Sequence, residues 1–356
     1  MTFTKNSALI LITGITIGIA GIVLTLLGNP ANMGVCAACF IRDIAGALGF
    51  DSAAPVQYLR PEVPGFLLGA FLIAVCTREW KATPATSPLI RFVIAFFIMT
   101  GSLVFLGCPL RLALRIGAGD MNALIGLPGF IGGIFVGSVL LKKGFSLGAD
   151  DTAQPRSVSI ANGIIMPLVA VLFIVFLLVR PAFIKFSEQG PGSQHAPIIA
   201  SLLFALVIGI ICQKSNFCIA GGIRDIFLIR KGWNFAGFIA IMAAALVGNL
   251  ILGKFKPGFA GQPIAHSESL WNFLGMFLVG YGSVLIGGCP LRQLIKAGSG
   301  NTDAGIAVIA FIVAGAAAHN FGIAASASGV PLNGKIAVVT GIAVVSFFGV
   351  LCRRQA

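Results

Sequence analysis

The sequence predicts an all-α integral membrane protein with about nine to ten transmembrane helices, short re-entrant or half helices, and two inverted repeats around a central pathway. Three observations predict it. Of 356 residues, 57% are hydrophobic and only 10% are charged, against about 25% charged in ordinary soluble domains. Apolar runs approaching the roughly 20 residues that cross a bilayer as helix recur along the chain. Two polar motifs each occur twice, in the same order. A chain so poor in charge cannot cover a water-facing surface, and the short alternating segments of a β-barrel are not seen.

The spans read as Ala8–Leu27, Val63–Val75, Leu89–Leu106, Ala123–Leu141, Ala161–Val179, Pro197–Ile211, Phe235–Gly253, Leu270–Ile286, Asp303–Phe321 and Ile336–Leu351. The run at Val63 is short enough to be tilted or only partly spanning. Met1–Ser7 carries one lysine and no small-residue cleavage pattern, so the first run is expected to stay as a helix and not to be removed as a signal segment. The longest polar gaps, Lys142–Ser159 and Arg180–Ala196, are loops.

The motif "NMGVCAACFIRDI" (Asn32–Ile44) matches "SNFCIAGGIRDI" (Ser215–Ile226), and "GCPLRLALRIGAGD" matches "GCPLRQLIKAGSGN". Cys36 and Cys108 are 72 residues apart; Cys218 and Cys289 are 71 apart. Two motifs recurring in order at one separation mark a duplication. Five apolar runs separate the copies, and an odd number inverts one relative to the other, as in many transporters. The expected divisions are 1–160 (first repeat and following loop), 161–196 (connecting helix and loop) and 197–356 (second repeat). Basic residues of the gaps fall unequally. Lys5, Arg78, Lys81, Arg91, Lys142, Lys143, Arg156, Lys214, Arg230, Lys231, Arg353 and Arg354 lie on one side, and Arg60, Arg180, Lys185, Lys254, Lys256 and Lys335 on the other. The richer side is expected to be cytoplasmic. The net charge of +13 is thus mostly loop anchoring, and no nucleic acid is implied.

"GCPLR" reads as a helix boundary. Gly107 and Gly288 break the preceding span, and Pro109 and Pro290 suit the first position of a new helix, where no N–H is needed. Cys108 and Cys289 then cap half-helices whose N–H groups and positive dipole end attract anions. Arg111 and Arg292 add charge, and Arg42 and Arg224 support the same attraction; Asp43 and Asp225 are expected to pair with these arginines more than to move protons. A thiol is small, polarizable and a weak donor, suited to contact soft sulfur or selenium without trapping it. The same setting suits a reactive thiolate, so covalent passage stays open. Cys76, Cys212 and Cys352 read as apolar filler. Cys36 and Cys39 have C-x-x-C spacing, but Gly221 stands where Cys39 would repeat. The glycines of "GLPGFIGGIFVG" (Gly126–Gly137) read as helix packing.

His195, His266 and His319 are scattered, so no metal site is expected. The chain shows no nucleotide-binding pattern, and neither a cofactor nor an enzymatic activity is expected. Two rival readings remain: a membrane thiol oxidoreductase using Cys36 and Cys39, and an anion channel without sulfur specificity.

On these four motifs the sequence resembles the YeeE/YedE family of prokaryotic membrane proteins, which includes thiosulfate transporters. "NPANMGVCAACFIRDIAGALG", "VQYLRPE" and "KKGFSLG" make it most similar to the YedE-type branch assigned to selenium transport. The resemblance implies a fold narrowing to a constriction from both sides of the prokaryotic inner membrane. It also implies cysteines that pass a small sulfur or selenium ion along by S–H contacts. Cys36, Cys108 and Cys289 take that role by motif, and Cys218 by internal repeat. A small SirA/TusA-like sulfur-carrier protein is the partner it suggests, besides the lipid bilayer. Cys39 is the departure from the simpler thiosulfate pattern.

Overall fold

The computed structural model describes residues 5–148 and 155–353; Met1–Thr4 and Arg354 of the sequence reading lie outside them. The described chain is helical without a strand, in the order α1 (Lys5–Leu26), α2 (Ala37–Ala47), a 3₁₀ turn (Ala54–Val56), α3 (Glu62–Cys76), α4 (Pro88–Phe105), α5 (Pro109–Gly117), α6 (Met121–Lys142) and α7 (Arg156–Val179). The second series is α8 (Ile198–Ser215), α9 (Ile219–Ile229), α10 (Trp233–Ile251), α11 (Ser269–Leu285), α12 (Pro290–Gly298), α13 (Thr302–Asn320) and α14 (Leu332–Leu351). All ten apolar runs are helices. Among the described residues nine spans are long and apolar enough to cross a membrane, and Glu62–Cys76 is the shorter tenth.

The lengths repeat. Each series is long, half, long, long, half, long, long, with the half-helices α2 and α5 matched by α9 and α12. The helix that the sequence reading set between the repeats, α7, holds the place in the first series that α14 holds in the second. Packing exchanges partners across the copies: α1 lies on α10 as α8 lies on α3, α6 on α11 as α13 on α4, and α5 on α10 as α12 on α3. The last pair departs from this, because α7 packs on α3 whereas α14 packs on α4 and α11.

Loop hydrogen bonds sort the connections onto two faces. On the first, Lys256 N–H donates to Ala118 O (2.9 Å), Lys185 N–H to Ala47 O (2.8 Å) and Gly192 N–H to Pro55 O (2.8 Å). On the second, Thr83 N–H donates to Gly300 O (3.1 Å) and Ser146 N–H to Cys352 O (3.0 Å). The half-helix α5 therefore ends at the first face and α12 at the second. The motif copies point in opposite directions, as the odd number of spans requires.

Without water in the bilayer, helix contact relies on close backbone approach. The stripe in α6 does this against α11. A Cβ on Gly129 or Gly133 would collide with the carbonyl oxygen of Phe273 or Phe277, whereas one on Gly132 would meet only the Phe277 ring at 3.6 Å. Gly133→Ala is expected to lower the thermal unfolding temperature of the purified protein, with an overpacking cost of about 1–3 kcal/mol. Gly132→Ala, one residue away, should unfold like the parent chain; equal behaviour of the two would contradict this packing.

Candidate functional site: paired half-helix caps at the centre of the bundle

Each half-helix begins at a cysteine. Cys36 caps α2 with φ −153° and ψ 117°, and Cys218 caps α9 with φ −152° and ψ 118°. Their sulfurs accept the Cys39 and Gly221 N–H groups at 3.3 and 3.2 Å. Cys108 and Cys289 cap α5 and α12 in extended backbone, each followed by proline at the first helical position. Sulfur is a weak acceptor, so these caps leave the first-turn N–H groups and the positive dipole ends weakly answered.

The glycine of "GCPLR" has another task than breaking the span. The left-handed residue after α4 is Leu106 (φ 63°), and after α11 it is Gly287 (φ 78°). Gly107 and Gly288 are instead required by the arginine four residues on. A Cβ there would sit 2.9 Å from Arg111 Cδ or 2.8 Å from Arg292 Cγ. Without a side chain, the arginine stem folds back over the cap and its charge stays beside the thiol.

The caps bring the thiols together. Cys36 Sγ is 3.8 Å from Cys108 Sγ, and Cys218 and Cys289 face each other as the matching pair. The motif cysteines thus form two facing pairs, one in each copy. Cys39 adjoins Cys36 and lies 3.8 Å from Arg111 Nη1. Cys36, Cys39, Cys108 and Cys289 are buried, whereas Cys218 is partly exposed. Of the three remaining cysteines, Cys212 is buried, Cys352 half-buried and Cys76 exposed.

The arginines divide. Arg111 is fully buried and donates to the carbonyls of Asn32 (2.9 Å), Leu106 and Ile264 (3.1 Å). No carboxylate pairs with it among the described residues. Arg292 is partly exposed and donates to Asn216 Oδ1 at 2.9 Å. Arg42, by contrast, is tied to Asp43 at 2.6 Å, and Arg224 to Asp225 at 2.7 Å. The acidic neighbours offset the charge of Arg42 and Arg224, and the uncompensated charge beside the thiols belongs to Arg111 and Arg292.

Two buried ion pairs escaped the sequence reading. Arg60, taken as a loop anchor, is fully buried and bonds Asp43 Oδ2 at 2.7 Å while lying over the Phe40 and Tyr58 rings. The visible hint was its position amid apolar residues in "VQYLRPEV". Arg115 and Asp120 pair at 2.7 Å, both fully buried. In the second copy Lys296 and Asn301 stand at those places; Asn301 caps α13 as Asp120 caps α6. Two of the scattered histidines serve the frame: His195 stacks on Tyr58 at 4.3 Å, and the His266 ring nitrogen bonds the Val104 carbonyl at 2.8 Å.

Inverted helical series whose half-helix N-termini carry matching cysteine pairs define the chain as a multi-pass α-helical membrane protein of the inverted-repeat class. Residues 214–352 match the family described as sulphur transport, and this bears out the resemblance to the YeeE/YedE family. The chain is similar to the thiosulfate transporter TsuA of Escherichia coli (strain K12), 25% identical over 116 residues, which are 33% of this chain and 32% of that protein. It is also similar to TsuA of Spirochaeta thermophila, 29% identical over 112 residues, which are 32% of this chain and 33% of that protein. The aligned part thus spans about a third of the length of each of these relatives.

Proposed function

We propose that the chain carries a small sulfur oxyanion across the prokaryotic inner membrane, with thiosulfate the first cargo and a selenium species the second. The observation that carries this reading is the two facing thiol pairs, Cys36 with Cys108 and Cys218 with Cys289, together with Arg111 and Arg292, which no carboxylate pairs among the described residues. A half-helix end attracts the oxyanion head. The thiols receive its soft terminal sulfur through contacts weak enough to release it, as conduction requires. The names of the similar proteins favour thiosulfate.

The second face holds Arg78, Lys81, Lys143 and Lys214 and is the cytoplasmic one in this reading. A small sulfur-carrier protein of the SirA/TusA kind would receive the cargo there. The stretch 161–196 fits the first repeat as its seventh helix, leaving 197–356 as the second.

The test is uptake of radiolabelled thiosulfate into proteoliposomes, challenged with sulfate, selenite and chloride. Thiosulfate uptake that selenite competes, with sulfate competing for entry but not itself carried when labelled, is the expected result. Equal passage of all four ions would replace the reading with a non-selective anion channel. A Cys36–Cys39 disulfide that cycles with a quinone, in the absence of uptake, would replace it with a thiol oxidoreductase.

A further inference from the structure

A cavity lies off the cysteine pairs, at the first face. It holds about 550 Å³ and is walled by α1 (Gly21, Thr25), α5 (Leu114), α10 (Asn249) and the connection between α10 and α11. That volume falls in the roughly 300–1,000 Å³ range of small-molecule clefts. Lys254, Lys256 and Gln262 stand on its wall, and no Asp or Glu does among the described residues. Its floor includes Asn32, Gly34 and Pro263. Asn32 and Pro263 both accept from the Arg111 guanidinium, at 2.9 and 3.5 Å. Arg111 in turn touches Cys39. The guanidinium is therefore the partition between cavity and thiols.

The wall formed by residues 252–268 is fastened at two places. Gly258 N–H donates to Gly119 O (3.1 Å) and Met121 N–H to Gly258 O (3.1 Å); Asn122 Nδ2 donates to Phe259 O (2.7 Å). Further on, the His266 ring holds Val104 O. Between these anchors, residues 260–265 cross in front of Arg111. The polar contacts from this stretch to the rest of the bundle are the donations of Arg111 Nη2 to the carbonyls of Pro263 and Ile264, while the Ile264 side chain packs against the core and Gln262 and Ala265 are buried. Ile264 sits there at φ 49°, a left-handed conformation that a β-branched side chain resists. The matching connection in the first series, residues 77–87, is six residues shorter, and the corresponding Arg292 stays partly exposed. The crossing segment is thus an addition to one side only.

We propose that this cavity is a capture site for a divalent oxyanion, and that residues 260–265 form a latch between it and the thiols. The oxyanion's oxygens take the Arg111 Nη donors now given to Pro263 and Ile264, and the freed segment swings clear. Lys254 and Lys256 concentrate the anion. Arg111 is suited to the exchange because a planar guanidinium matches an oxyanion in two-pronged geometry. The strained Ile264 supplies part of the tendency to open. This rests on the transport reading and adds the point at which the first face is closed.

The latch can be read without any transport. Amide hydrogen exchange of residues 260–265 is followed by mass spectrometry on the full chain in lipid nanodiscs. Thiosulfate, and sulfate as a divalent oxyanion without a soft sulfur, are expected to raise exchange there about tenfold, while chloride at equal ionic strength leaves it unchanged. Lys254→Gln with Lys256→Gln should raise the thiosulfate concentration needed by about tenfold. Gln262→Ala removes the bonds from Gln262 Nε2 to Lys256 O (2.8 Å) and Gly258 O (3.0 Å) without touching Arg111. It should speed exchange of the segment in the absence of any anion and expose Cys36, Cys39 or Cys108 to an impermeant maleimide from the first face. If reconstituted protein transports thiosulfate and exchange of 260–265 does not respond, the latch is wrong and the transport reading survives. If exchange responds and no ion is carried, the latch stands and the transport reading falls.

Discussion

Cys108→Ala is expected to lower the initial rate of thiosulfate uptake by about ten- to hundredfold, whereas Cys39→Gly should retain most of it. The first magnitude follows from losing one desolvated polar contact to a charged cargo, about 1–3 kcal/mol, when each ~1.4 kcal/mol is tenfold. Cys108 faces Cys36 at 3.8 Å, so its removal opens a gap in the line of sulfurs where the bilayer offers nothing to replace it. Cys289→Ala should cost about as much, because the same cap geometry recurs there in the opposite orientation. Cys39 is different. Its counterpart is Gly221, and the second half of the path is built without a thiol at that place. Uptake measured at matched expression in proteoliposomes decides the matter. If Cys39→Gly abolishes transport while Cys108→Ala spares it, the cargo is held by Cys39 and Arg111 and not passed along the symmetric line.

Asp43→Asn should destabilise the chain far more than Asp225→Asn, although the two occupy the same motif. Asp43 accepts from Arg42 Nη2 at 2.6 Å with one oxygen and from Arg60 Nε at 2.7 Å with the other, and all three side chains are buried. An amide at 43 turns an –NH₂ toward one guanidinium and leaves two buried positive charges without a counter-charge. Breaking one buried pair costs about 3–5 kcal/mol. The Arg224–Asp225 pair is 31% and 25% exposed, and exposed pairs are worth about 0–1 kcal/mol. Thermal unfolding in one detergent should show a large fall for Asp43→Asn and little for Asp225→Asn. Similar falls would mean that the second copy is as enclosed as the first.

These two contrasts also mark how far the sequence could be read. It showed that both copies carry cysteine, arginine and aspartate at the same spacing, and so implied equal roles. The two copies differ because Arg60 reaches Asp43 in the first copy, while among the described residues Asp225 pairs with Arg224 and with no second arginine. Arg60 and Asp43 are 17 residues apart, and nothing in a loop-like arginine shows which way it will point. Gly107 is a second case. A glycine at a helix end suggests a left-handed turn, yet Leu106 makes that turn and Gly107 makes room for the Arg111 stem. Only the path of a long side chain distinguishes the two uses.

By itself the sequence determined the membrane class, the ten apolar spans, the duplication with its inversion, and the starts of α5 and α12. Those features depend on local quantities: hydropathy over one bilayer thickness, the parity of spans, and the missing N–H of Pro109 and Pro290. The tertiary structure decided which thiols meet and which arginines stay uncompensated. Cys36 meets Cys108 across 72 residues, and Arg111 holds Ile264 across 153. Contacts at such separations are set by how the inverted halves pack. In a low-dielectric interior that packing decides whether a charge is paired off or left available to a cargo.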